Sequence, residues 1–336
     1  TGDNKFTAKS IAKELGLAFK DDSVVTGDEL LKMTDEELSK RVRNIKVYAR
    51  VSPADKLRII KAWQNKGEIV SMTGDGVNDA PALKAADIGV AVSSGSDVAQ
   101  ETADLVLLEN NFDTIVMAIK QGRVIFANLR KVILYLLSDS FSEIIIIVGS
   151  LILQIPLPIL AAQILWVNLV DDGFPALALT MEPEDEKIMN QKPKKVNSLL
   201  DFESKFMILI VSMLTGFSSL LLFWYFWKET GNEDLARTVT FTSLAIITLF
   251  YVYSIKSLDH NIFKANPFKN KYLNGAVLIG LSMQLIAVYM PFFNRVLRTV
   301  PLTWKEWQVI LAAILLVIIL IEIIKAVFIH YQKTKK

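Results

Sequence analysis

Ser71-Met-Thr-Gly-Asp-Gly-Val-Asn-Asp-Ala-Pro81 ends a short apolar strand, Glu68 to Met72, and opens directly into a helix. At the carboxyl end of a parallel strand, Gly74 and Gly76 allow a sharp turn and close backbone approach to a ligand. Asp75 and Asp79 add hard oxygen donors suited to Mg²⁺. Such a loop predicts phosphate chemistry in an α/β domain.

The residues around the loop alternate short strands with amphipathic helices. Ser23 to Thr26 and Ile45 to Arg50 read as strands, and Thr34 with Glu37 makes a capping box. Ser52 caps the next helix with Pro53 at its first position; Leu57, Ile59, Ile60 and Trp63 form its buried side, and Gly67 stops it. Beyond the loop come a helix at Ala80 to Ala86, a strand at Ile88 to Val92, a loop at Ser93 to Ser96 and a strand at Leu105 to Leu108. Repeated βα units predict one parallel sheet covered by helices on both faces. Thr1-Gly2-Asp3-Asn4 is neither a start methionine nor a signal peptide, and reads as a strand end feeding a helix that Gly16 terminates. The chain is therefore expected to be cut from a longer one.

After Leu105 the character changes. Over the 336 residues, 52% are hydrophobic and the mean hydropathy is +0.36, more than a soluble chain needs, although the first hundred residues are ordinary and charged. A net charge of +2 without a basic run before the last residues argues against nucleic acid as a partner. The absence of cysteine excludes disulfides, thiolate metal sites and thiol nucleophiles. His260 and His330 fall in or beside loops at membrane ends, a poor setting for a zinc site or histidine base.

From Asp113 a helix begins polar, with Lys120, Arg123, Arg130 and Lys131, then turns wholly apolar from Val132 to about Leu153. Further spans are expected near 159–180, 203–227, 238–256, 273–293 and 307–329, each close to the ~20 residues a bilayer requires. This gives residues 1–112 as a cytoplasmic domain, 113–131 as a stalk and 132–336 as a transmembrane domain, with the lipid bilayer as its partner. Lys187, Lys192, Lys194 and Lys195, then Lys256, Lys264, Lys269 and Lys271, then Lys333, Lys335 and Lys336 lie on the side of the first domain, which the positive-inside rule makes cytoplasmic.

Carboxylates at membrane depth cost about 2.5–3.5 kcal/mol on insertion scales, so each needs a reason. Glu143 lies mid-span, with Asp139 four residues earlier on the same face and Ser140 and Ser142 beside it. Asp171 and Asp172 lie in Trp166-Val-Asn-Leu-Val-Asp-Asp-Gly-Phe-Pro175, where Gly173 and Pro175 break helical hydrogen bonding and free carbonyls to join Asn168 and the aspartates as oxygen ligands. By its chemistry this is a cation site.

Thr1-Gly2-Asp3, Ala49-Arg50-Val51 with Pro53 and Lys56, Thr73 to Pro81, and Leu165 to Pro175 together resemble the carboxyl-terminal half of a P-type cation-transporting ATPase, with the second span most similar to that of the calcium pumps. The resemblance implies a partial haloacid-dehalogenase-like phosphorylation domain followed by an all-α six-helix membrane domain, in a pump where ATP phosphorylates an aspartate and the phosphoenzyme drives ion transport. It assigns Thr1 and Gly2 to phosphoryl contact, Asp3 to the catalytic set, Lys56 to charge neutralisation, Arg50 to cofactor binding, Asp75 to Mg²⁺, and Asn78 and Asp79 to completing the site. Glu143, Asn168 and Asp172 match calcium-ligand positions. Ser140 stands where an asparagine is usual and Asp171 where a threonine is usual; Thr248 falls roughly where two-site pumps carry an acid. One Ca²⁺ site is expected, Mn²⁺ and monovalent ions being the alternatives, in a multi-pass membrane protein compatible with a prokaryotic plasma membrane. A non-catalytic membrane remnant with an ion site is the other reading.

The phosphorylated Asp-Lys-Thr-Gly motif does not occur in the 336 residues, so the missing amino-terminal half of the same pump is the implied partner. The polypeptide alone is expected to form no phosphoenzyme from ATP. Acid-stable labelling of the isolated chain by radioactive γ-phosphate ATP would refute this.

Overall fold

The computed structural model describes residues 1–17, 20–109, 111–184, 188–190, 199–256 and 266–335. Lys187, Lys192, Lys194, Lys195, His260, Lys264 and Lys336 lie outside these residues. The chain divides into two compact units, Thr1–Lys120 and the described residues from Gln121 onward.

In the first unit, α1 (Lys5–Glu14) starts where the Asn4 carboxamide accepts the Phe6 and Thr7 N–H groups, and ends before Gly16 at φ +74°. Strand β1 (Val24–Thr26) runs into α2 (Gly27–Leu31), and α3 (Asp35–Arg41) leads to β2 (Val47–Ala49) and α4 (Pro53–Gln64). Capping boxes Thr26–Glu29, Thr34–Glu37 and Ser52–Asp55 fix all three helix starts. Then follow β3 (Ser71–Gly74), α5 (Ala80–Ala85), β4 (Ile88–Val92), α6 (Asp97–Thr102) and β5 (Leu105–Leu107).

All strand pairs are parallel, but the described strands form two sheets, β1-β2 and β3-β4-β5, where one had been expected. Strand β3 also starts later than its apolar residues suggest. The Val70 N–H is taken by the Asp87 carboxylate and its carbonyl by the Asp87 and Ile88 N–H groups, so regular pairing begins with Ser71 opposite Ile88. Val25, Leu30, Leu38, Val42 and Ile45 make one core of this unit, and Leu83, Ala91 and Ala99 another.

In the second unit α7 (Phe112–Ile152), which begins in the first, continues unbroken through the apolar stretch. Next come α8 (Ala161–Trp166), a π-helical turn (Val167–Asp172), α9 (Gly173–Thr180), α10 (Phe202–Thr230), α11 (Glu233–Lys256), α12 (Lys271–Tyr289), α13 (Pro291–Leu297) and α14 (Trp304–Lys335). Among the described residues five helices, α7, α10, α11, α12 and α14, are long and apolar enough to cross a membrane. The segment expected as a sixth is helical throughout 161–180 but divided by the π turn.

Helix α11 is the central element, buried along most of its length against α10, α12 and α14. Gly216 of α10 lets that helix approach α7 so closely that an added Cβ would lie 3.1 Å from the Ser142 carbonyl oxygen. At one end of the bundle, buried Lys256 pairs with Glu182 at 3.5 Å, and Asn270 donates to the same carboxylate at 2.8 Å. Asp201 caps α10 and pairs with Arg130 of α7. Burial alone would raise the Asp201 carboxyl, but the Ser204 N–H and the Arg130 guanidinium outweigh it and hold the group below its ordinary value.

The ends of β1 and β2 meet at Gly27, where an added Cβ would lie 2.2 Å from the Arg50 carbonyl oxygen. Gly27→Ala should therefore cost about 1–3 kcal/mol by forcing the strand ends apart. A lowered thermal midpoint of the purified chain in detergent is the expected result; an unchanged one would show that the strand ends yield freely.

Candidate phosphate loop and buried carboxylate site

Strand β3 carries its loop at the carboxyl end of the three-stranded sheet, and Gly74 is the residue that makes room: an added Cβ there would sit 2.6 Å from the Asp79 Cβ. Asp79, 8% exposed, turns back beneath the loop, where its carboxylate accepts the Gly76 N–H at 3.5 Å and forms an ion pair with Lys56 of α4. Thr1 lies within electrostatic range of Lys56, Asp3 and Asp79. The Thr1 hydroxyl donates to the Asp3 carboxylate at 2.7 Å, and the Arg50 N–H donates to the Asp3 carbonyl at 2.9 Å. Arg50 holds this contact at φ 51°, a left-handed conformation uncommon for a non-glycine residue. Its side chain is exposed, as is Gly2.

The segment Thr1 to Asp3, Lys56 and Asp79 are thus brought together. Asp75 and Asn78 are exposed beside them, and neither side chain makes a hydrogen bond among the described residues. The Asp75 carbonyl accepts the Ser96 N–H at 2.8 Å, so backbone contacts fix the loop and leave the Asp75 carboxylate available. A free carboxylate, a lysine ammonium and turn N–H groups suit a phosphoryl group with a hard divalent cation, which makes the donor set fit Mg²⁺.

The second site lies in the helical unit. Proline has no N–H, so Pro175 cannot donate to the Asp171 carbonyl four residues earlier. The Tyr135 hydroxyl of α7 donates to that carbonyl instead, at 2.8 Å, and the Tyr251 hydroxyl of α11 donates to the Tyr135 carbonyl at 2.5 Å. The carbonyl expected to be free for an ion therefore has a protein donor. The π turn sets Asp171 and Asp172 inward at 0% and 1% exposure, and among the described residues none of their four carboxylate oxygens has a geometrically defined hydrogen-bond donor, Asp172 lying against the Asp139 carboxylate. Buried polar groups are nearly always paired, which makes these oxygens the outstanding chemical feature of the unit.

Glu143 and Asn168 meet directly: the Asn168 amide donates to Glu143 Oε1 at 3.2 Å and to the Ile164 carbonyl at 3.0 Å. Asp172 lies within electrostatic range of Asp139, Glu143 and Asp171. The Ser140 hydroxyl instead bonds back to the Leu136 carbonyl at 3.0 Å, so the structure does not bring it to the others. Among the described residues no three carboxylate or histidine groups converge tightly enough to grip one metal ion in this conformation. The sequence reading assigned no role to Tyr135 or Tyr251. The spacing of Tyr135, four residues before Asp139 on one helical face, was the available signal.

Comparison with known proteins agrees on both parts. A family model described as cation transporting ATPase, C-terminus, matches residues 156–327. Two models of haloacid dehalogenase-like hydrolases match residues 1–87 and 56–119. A calcium-transporting ATPase of Bacillus subtilis is 42% identical over 315 residues, covering 93% of this chain and 35% of that protein. The human calcium-transporting ATPase type 2C member 1 is 36% identical over 338 residues, covering 100% of this chain and 37% of the relative. Calcium-transporting ATPase 1 of Saccharomyces cerevisiae is 36% identical over 304 residues, 89% of this chain and 32% of its own length. The chain spans about a third of the length of these relatives.

Removing one partner of the Lys56–Asp79 pair strands the other. Fully buried pairs lose about 3–5 kcal/mol on such a change, and with side chains 21% and 11% exposed this one should lose about 1–3 kcal/mol in Lys56→Met. The double variant with Asp79→Asn should recover most of the loss in a denaturant-midpoint cycle; additive losses would mean that the two side chains do not interact.

Proposed function

This chain belongs to the P-type cation-transporting ATPases, and from that premise we propose that it supplies the ion-binding helices and part of the phosphorylation domain of a calcium pump. The observation that carries the proposal is the set of four unpartnered, fully buried oxygens of Asp171 and Asp172, beside Glu143 and Asn168 on a helix broken by design of its sequence. Apolar burial of ionised carboxylates is unfavourable unless a cation joins them. Carboxylate and amide oxygens are hard donors, suited to Ca²⁺.

In the first unit, phosphoryl transfer asks for positioning and charge neutralisation more than for a base. Lys56 would offset phosphoryl charge while the Asp79 carboxylate orients its ammonium. Gly2 would present its backbone N–H to the phosphoryl oxygens, and Thr1 would present its hydroxyl on leaving the Asp3 carboxylate to which it donates here. Asn78 would donate its amide from the loop, and exposed Arg50 would face the nucleotide. Asp75 would hold Mg²⁺, which supplies electrophilic stabilisation of the phosphoryl oxygens when bound. In the second unit, Glu143, Asn168, Asp171 and Asp172 would hold the transported ion, with Ser140 joining only if its hydroxyl leaves the Leu136 carbonyl. The protein is a multi-pass membrane protein by its family and its five long apolar helices, the 161–180 segment making a proposed sixth crossing.

In the full-length pump, Glu143→Ala and Asp171→Ala should each abolish acid-stable phosphorylation stimulated by Ca²⁺. Stimulation by Mn²⁺, Na⁺ or K⁺ but not Ca²⁺ in the unaltered pump would reassign the ion, and unchanged Ca²⁺ dependence in both variants would remove these residues from the site.

A further inference from the structure

One buried carboxylate is left over by this assignment. Asp139 of α7 is 1% exposed, and it is within electrostatic range of Glu143, Asp171 and Asp172. Its Oδ1 accepts the Thr248 hydroxyl of α11 at 2.7 Å, and among the described residues its Oδ2 has no donor, the neighbouring side chain being the Asp172 carboxylate.

The Thr248 bond is not the usual behaviour of a helical hydroxyl in this bundle. On α11, Thr238, Thr240 and Ser243 bond back to the carbonyls of Asp234, Ala236 and Thr240 at 2.7–2.9 Å, as Ser and Thr in apolar helices commonly do. On α7, Ser140, Ser142 and Ser150 do the same. Thr248 instead reaches to another helix and grips one oxygen of a carboxylate, while the second oxygen, like the four of Asp171 and Asp172, is buried without a donor among the described residues, and Asp139 lies within electrostatic range of Asp172. A bond made only to tie two helices together would be served by a neutral side chain; a carboxylate adds a buried charge that a packing role does not need.

We propose that Asp139 is a ligand of the transported cation, and that Thr248 is a positioning residue that holds Asp139 with Oδ2 toward Asp171 and Asp172. This rests on the ion-site reading above and extends it by bringing α11, the most buried helix, into contact with the site. The ion would draw these side chains together, since among the described residues no three carboxylates converge. Each carboxylate added to such a site makes it more selective for divalent over monovalent ions, so Asp139 is also a determinant of specificity.

The test is equilibrium binding of radioactive Ca²⁺ to the purified full-length pump, without ATP. Asp139→Asn, nearly isosteric, should weaken binding at least tenfold while the thermal midpoint in Ca²⁺-free detergent is kept. Thr248→Val should weaken it several-fold, and Thr248→Ser, which retains the hydroxyl, should restore it. Unchanged Ca²⁺ affinity in Asp139→Asn, with binding abolished in Asp171→Ala, would overturn the Asp139 assignment alone. Absence of Ca²⁺ binding to the unaltered pump would overturn the ion reading on which both rest. Equal weakening by Thr248→Val and Thr248→Ser would sink the positioning role.

Discussion

A carboxylate enclosed by protein at membrane depth must be matched by a donor or a cation, and the helical unit is organised around that requirement. Asp171 and Asp172 can face inward together because the backbone widens into a π turn where Pro175 removes a helical donor. The widened turn persists because Tyr135 and Tyr251 hand hydroxyl donors from α7 to the broken helix and from α11 to α7. Their rings also touch, with centroids 5.1 Å apart, so one pair of side chains packs the core and satisfies the break.

The polar belt around Glu182 fits the same logic. Helix α9 ends in a carboxylate that gathers Lys256 from the end of α11 and Asn270 from the start of α12, and the Glu182 carbonyl accepts the Asn128 amide of α7 at 2.9 Å. In an apolar setting such a network is retained only when each of its groups is satisfied, and here most are satisfied by groups from different helices.

Much of the first unit was legible because its signals are local. Ser52 with Pro53, Thr34 with Glu37 and the glycines at 16 and 67 act within a few residues, and β4 runs over the expected Ile88 to Val92. The division into two sheets and the start of β3 were not legible, since strand pairing depends on contacts between segments, such as that of Val70 with Asp87, which delays regular pairing to Ser71. In the helical unit, chemistry was clearer than geometry. Glu143, Asn168, Asp171 and Asp172 stand out as polar residues among apolar ones, but the backward-bonded Ser140 and the occupied Asp171 carbonyl depend on rotamers that composition cannot specify. Thr248 drew notice in the sequence only as standing roughly where two-site pumps carry an acid, and its bond to Asp139 depends on a direction that the sequence does not specify.

The Tyr135 hydroxyl on the Asp171 carbonyl has a consequence for how this sequence can drift. Tyr135 and Pro175 form a matched pair: the proline creates a vacancy in the helix ladder and the tyrosine fills it. With the proline lost, the backbone could supply its own donor and the phenol would become redundant; with the tyrosine lost first, the vacancy would stand in a dry interior. The two positions are therefore epistatic, and the order in which they change decides whether the intermediate protein survives.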